Sequence, residues 1–339
     1  MLRYFWFLYN KRRILRFAIF ILTLVAILTI GFIVGPTKIV WKSYDFSYVR
    51  KEEFNTAIFY VDGLVFLALC FIEPILIFSF KMDRNAFESE RILPVSKKTI
   101  FISRFILGYV EIIISYSLAL FVSNFIFNSG NFLIYLVMHF GGMLVYSFFA
   151  FFFLRGRNII DGIVLMIMAT VSLILIGNGI FSIVGLIRNK PITIFEYSLN
   201  PFSIYEWIIV IMSDSINKTS TLYPELIIAA CAFTAISFGT MIGIFITIKD
   251  FKVENASQKT ESLMGYKILI PITFISLLLC KNFVGQTMYY LMLAISLLST
   301  YFAYALSYRK FIFTKREWLI YSIVGLGEFA MFMISLFIF

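Results

Sequence analysis

An all-α, polytopic transmembrane bundle of eight or nine spans is the fold this sequence predicts, and three observations predict it. Of the 339 residues, 61% are hydrophobic and only 14% are charged, against about 25% charged in ordinary globular domains. The apolar residues gather into runs of the roughly 20 residues that a helix needs to cross a bilayer core at 1.5 Å per residue. Lys and Arg rise and fall from one connecting loop to the next, as expected where inner loops carry an excess of positive charge.

The runs lie at 14–35, 58–80, 99–127, 131–154, 159–187, 224–247, 267–280, 284–307 and 318–338. The seventh is short, contains Pro271 and meets Lys281; read as re-entrant, it leaves eight spans. With the N-terminus inside, the inner side collects 21 of the 29 Lys and Arg, in the N-terminal cluster and the second, fourth, sixth and eighth loops. That count predicts a multi-pass membrane protein with a cytoplasmic N-terminus, and a plasma membrane, bacterial in type, is the expected location. The apolar run from Phe17 is too long for a cleavable leader and no small-residue cleavage site follows it, so it reads as a retained first span.

Before that span, Met1 to Arg16 interleaves Tyr4, Phe5, Trp6, Phe7 and Tyr9 with Lys11, Arg12, Arg13 and Arg16. Aromatic rings favour the membrane interface and basic groups reach lipid phosphates, so an interfacial elbow helix over 1–16 is expected. The net charge of +10 is accordingly assigned to membrane lipids and a cytoplasmic protein partner, and no nucleic-acid stripe stands apart from it.

The loop after the second span, KMDRNAFESERILPVSKKTI at 81–100, predicts a short amphipathic helix on the inner face. Asp83 caps it, Pro94 stops it and Ser96 caps the helix that follows. Phe87, Ile92 and Leu93 are expected to point together at a partner. On the outer side, 36–57 reads as a loop, and 188–223 as a loop with an interfacial hairpin broken at Asn200-Pro201.

Catalysis is read by subtraction. His139 is the sole histidine, and neither HExxH, G-x-S-x-G nor a G-x-x-x-x-G-K-[ST] phosphate loop occurs. No catalytic, cofactor-binding or metal-ligating set is therefore assigned, and ATP, if used, is bound by another chain. Cys70, Cys231 and Cys280 lie on three different helices, which gives no disulfide framework. Asp161 with Asn158 suits the cap and first turn of the fifth helix.

Four acids lie in apolar runs, Asp62, Glu73, Glu111 and Glu328. Buried carboxylates are expensive in a bilayer and face the protein interior. Glu73 and Glu111 fall on consecutive antiparallel helices at nearly one depth. Arg104, two turns before Glu111 on the same face, is expected to pair with Glu111 or Glu73 as helix glue; the alternative is a substrate or proton pathway through Glu73, Arg104, Glu111 and Glu328.

The charged loop, with glutamates followed by Leu93-Pro94-Val95-Ser96-Lys97-Lys98 and then a long third span, resembles the membrane subunits of ABC-2 type ABC transporters. The broken outer segment at 188–223 is similar to that family too, and the resemblance covers about residues 1–260. It implies a type V exporter-like permease core of six spans at 17–250, behind the elbow at 1–16, with a C-terminal membrane extension at 251–339. It further implies cytoplasmic ATPase subunits that carry ATP and Mg, and a second permease half, the same or related. The coupling contacts then map onto Arg84, Phe87, Glu88, Glu90, Arg91, Leu93 and Pro94, with a shorter one at Arg155 and Arg157. The implied function is ATP-driven export of a hydrophobic or amphipathic cargo such as a peptide, bacteriocin or drug, without enzymatic chemistry in this chain. The competing readings are a proton-coupled secondary transporter and a non-transporting immunity or receptor protein.

Overall fold

The computed structural model describes residues 2–34, 37–44, 47–54, 57–127, 132–188, 224–248 and scattered positions between 269 and 326. Helices dominate: α1 (Leu2–Lys11), α2 (Arg13–Val34), α3 (Ala57–Phe78), α4 (Arg84–Arg91), α5 (Lys97–Phe127), α6 (Phe132–Arg155), α7 (Ile159–Arg188) and α8 (Pro224–Thr247). The six long ones begin within two residues of the first six apolar runs. Among the described residues, four helices are long and apolar enough to cross a membrane, Arg13–Ile33, Gly63–Lys81, Lys97–Val122 and Ile159–Gly177. The described apolar parts of α6 and α8, Gly141–Arg155 and Cys231–Ile246, are shorter. These apolar helices are those of a membrane protein.

The segment expected to be a plain outer loop is ordered differently. Strands β1 (Thr37–Tyr44) and β2 (Ser47–Phe54) form an antiparallel hairpin whose register pairs Thr37 with Phe54 and Tyr44 with Ser47. Thr, Ile, Val, Trp and Tyr supply the β-branched and aromatic content that a strand favours. Among the described residues the chain is thus helical except for this two-stranded hairpin.

Helix packing places α3 and α6 at the centre. α3 packs against α2, α5 and α6, α6 packs in turn against α7 and α8, and α1 lies along α5. Large rings fill the interior: Phe66 meets Tyr116 at 4.4 Å between centroids, and Phe148 meets Phe233 at 5.4 Å. Such pairs add about 0.5–1.5 kcal/mol beyond area burial. Pro74 lies inside α3, where its missing N–H removes one helical hydrogen bond.

The turn from α6 to α7 is tight. A Cβ added at Gly156 would sit 2.5 Å from the Gly162 amide nitrogen and 2.7 Å from its Cα, both backbone atoms, so glycine is the residue this close approach admits. Asn158 Oδ1 then accepts from the Asp161 amide at 2.8 Å, and its Nδ2 donates to Asp161 Oδ2 at 2.9 Å. This is the cap expected at the start of α7.

Candidate functional site at the α4 end of the bundle

α4 forms because its punctuation is local. Asp83 Oδ1 accepts from the amides of Asn85 at 3.0 Å and Ala86 at 3.4 Å, a cap worth about 1 kcal/mol. The helix ends at Arg91, three residues short of Pro94, and Ser96 Oγ accepts from the Thr99 amide at 3.2 Å to start α5. α4 turns two different faces to its surroundings. Arg84 and Glu88 form an exposed pair at 3.0 Å, worth only about 0.3–0.5 kcal/mol. On the opposite face Phe87 is buried against Phe80 at 5.8 Å and Phe101 at 6.2 Å.

Phe87 therefore does not join Ile92 and Leu93 in one outward cluster. Its ring belongs to this chain's core, Leu93 is half-buried, and Ile92 alone of the three is widely exposed, at 84%. Pro94 is exposed. One turn of helix separates positions 87 and 90–91, so the face that buries Phe87 also carries Glu90 inward.

Glu90 is the hub of the first polar cluster. The Tyr4 hydroxyl of α1 donates to Glu90 Oε2, and Arg104 Nη2 of α5 donates to Oε1 at 2.6 Å. Arg104 Nη1 also donates to the Ile77 carbonyl at 3.1 Å, near the end of α3, while its guanidinium lies 3.7 Å from the Phe80 ring centre. Burial, with the Glu90 carboxylate accepting its hydrogen bond, raises the Tyr4 phenol above its ordinary range, so it stays a donor. One carboxylate thus ties α4 to α1 and α5. The sequence placed Glu90 on a partner-facing surface and gave Arg104 to Glu111 or Glu73; both assignments are corrected here. Arg104 sits on the Glu111 face of α5, but Glu90 reaches it first from the adjoining loop.

The second cluster is a buried charge layer. Arg12 Nη1 lies 2.9 Å from Glu111 Oε2 and 3.4 Å from Glu73 Oε1, and Arg16 Nε lies 3.7 Å from Glu111 Oε1. Both carboxylates are buried. The sequence did bring Glu73 and Glu111 to one polar layer, as observed, but it sent Arg12 and Arg16 to lipid phosphates. The structure turns these two into the bundle, where two guanidinium groups balance two carboxylates. Arg16 is further held by the Tyr9 carbonyl and by the Tyr9 ring, 3.2 Å from its guanidinium carbon. Buried ions are tolerated only when paired in this way.

A third contact joins the α3–α4 connection to the α6–α7 turn. Lys81 Nζ donates to the Leu154 carbonyl and, at 3.2 Å, to the Gly156 carbonyl. These carbonyls lie at the end of α6, where helical partners run out and a cation is favoured. The segment leading into α4 and the α6–α7 turn are therefore fastened together. Arg155 lies over the Phe151 ring at 4.6 Å and Arg157 is half-buried in that turn. Lys81 was counted in the sequence only as an inner-loop charge; no local signal marks a lysine that caps another helix.

Cys70 is buried and Cys231 exposed, both as free thiols. Among the described residues no three His, Cys, Asp or Glu side chains gather as a metal site. The segment 189–223, Glu328 and Cys280 lie outside the described residues, as do the side chains of Asp62, Arg91 and His139. Comparison with protein families, with characterised proteins and with solved structures finds no match for this chain.

Proposed function

We propose that this chain is the membrane-spanning permease subunit of an ATP-driven exporter of the ABC-2 kind, with the α4 end cytoplasmic and ATP and Mg held by a separate ATPase. The observation that carries the reading is α4 itself. It is a short, capped, two-faced helix set between two long apolar helices, locked inward through Phe87 and Glu90, with Arg84, Glu88 and Ile92 presented outward. A solvated loop needs neither the lock nor the exposed Ile92. Lys81 adds the α6–α7 turn to the same platform. Two such chains, or this chain and a related one, would form the path at their interface, and the apolar, Phe-rich bundle suits a hydrophobic or amphipathic cargo.

The docking face is tested without touching the core. The double variant Arg84→Glu, Ile92→Asp is expected to insert and fold as the parent does, because both side chains are exposed, and to lose at least about tenfold in ATPase binding, as for a contact carried by few residues. Co-purification of the ATPase undiminished by this variant would remove α4 from the interface.

The proton-coupled reading rests on Glu73 and Glu111, and the observed arginine layer favours a structural role for them. Glu73→Gln and Glu111→Gln are expected to leave transport dependent on ATP hydrolysis. Uptake into liposomes by this chain alone, driven by a pH gradient and abolished in either variant, would favour the proton-coupled alternative instead.

A further inference from the structure

The N-terminal basic cluster is divided by the fold. Arg12 and Arg16 turn inward to Glu73 and Glu111, and Tyr4 and Leu8 are buried. Arg3, Lys11 and Arg13 remain exposed, together with Trp6, Phe7, Ile14 and Phe17. Spacings of three and four residues put Arg3, Phe7 and Asn10 on one stripe of α1, and Ile14 and Phe17 on one stripe of α2. Arg12 stands between the two helices, its N donating to the Leu8 carbonyl and its carbonyl accepting from Arg16 N. Lys11 Nζ lies 5.9 Å from the Phe7 ring centre, so charge and aromatic surface adjoin on α1.

We infer that this surface binds acidic phospholipids, whose phosphates meet Arg3, Lys11 and Arg13 while their chains lie against Phe7, Ile14 and Phe17. Charge complementarity is the first argument. No acidic residue precedes Asp45 in the sequence, and the exposed acid within α4, Glu88, is paired with Arg84. Continuity is the second argument. α1 leads directly into α2, one of the helices long and apolar enough to cross a membrane, which sets the exposed cations within about a few turns of the hydrocarbon, at headgroup level. These exposed cations number three, because the two directed inward are neutralised by glutamates; that division gives the inference its specific form.

The test uses the full chain in a neutral detergent with phosphatidylglycerol and phosphatidylcholine bearing the same acyl-chain fluorophore, read by anisotropy. Phosphatidylglycerol is expected to bind at least about tenfold more tightly, and about 0.5 M salt should erase the difference. The variant Arg3→Gln, Lys11→Gln, Arg13→Gln should bind both lipids alike, and Arg3→Lys, Lys11→Arg, Arg13→Lys should retain the preference. Millimolar glycerol phosphate, which has the headgroup charge and no chain, should not compete. Equal binding of the two lipids by the parent, a preference that survives the glutamine variant, or full competition by glycerol phosphate would each overturn the inference. The last of these would indicate a site for a soluble anion. These outcomes are independent of ATPase binding, so the inference and the transport reading stand or fall separately.

Discussion

Arg12→Ala is expected to cost the folded chain about 3–5 kcal/mol, the penalty for leaving a buried charge without its partner. Arg12 is the cation shared by Glu73 and Glu111, and after its loss Arg16, at 3.7 Å from Glu111 alone, cannot neutralise both. The measurement is equilibrium unfolding in mixed micelles, followed by loss of helical signal. Adding Glu73→Gln and Glu111→Gln to Arg12→Ala should recover much of the loss, since neutral amides carry no uncompensated charge. A coupling energy above about 0.5 kcal/mol in that cycle would mark a true interaction. Unfolding of Arg12→Ala within about 0.5 kcal/mol of the parent, the range of ordinary surface changes, would mean that the layer does not hold the helices together.

Phe87→Ala should destabilise by a similar amount, about 3–5 kcal/mol, through the lost burial and the cavity left behind. The ring is 1% exposed and wedged between Phe80 and Phe101, neighbours on the 3-10 turn Ser79–Lys81 and on α5. Ile92→Ala, five residues on and 84% exposed, should fall within about 0.5 kcal/mol of the parent. The same unfolding assay compares the two. If both substitutions cost equally little, α4 does not pack as described, and the two-faced helix on which the proposed docking rests is lost with it.

What could be read in the sequence was what local chemistry determines. Six helices follow from apolar runs, and the Asp83, Ser96 and Asn158 caps follow from hydrogen bonds that reach two or three residues. The charge layer was half legible. Depth along two antiparallel helices placed Glu73 near Glu111, but Arg12 lies 61 residues from Glu73, beyond any periodicity. Arg104 shows why such guesses err. Its face on α5 was read correctly, yet the partner was decided by Glu90, carried to it by α4 folding back. Phe87 was read as outward because an amphipathic pattern states that a helix has two faces without saying which one meets this chain. The β1–β2 hairpin was missed because its strong β-formers are interrupted by Lys, Arg and Glu, which gave the segment the composition of a loop.

The arginine layer also carries a schedule. Chains are made from the N-terminus at about 5–20 residues per second, so Arg12, synthesised 61 residues ahead of Glu73, waits roughly 3–12 s for its first carboxylate at that rate, and longer for Glu111. Once α2 has been made, and until α3 follows, the guanidinium groups of Arg12 and Arg16 lack their carboxylates, which favours keeping that end in water. Only when α5 has been made can the layer close, and closing it draws α2, α3 and α5 together in one step. The charges that first keep the N-terminal end out of the apolar phase are those that later commit it to the assembled bundle.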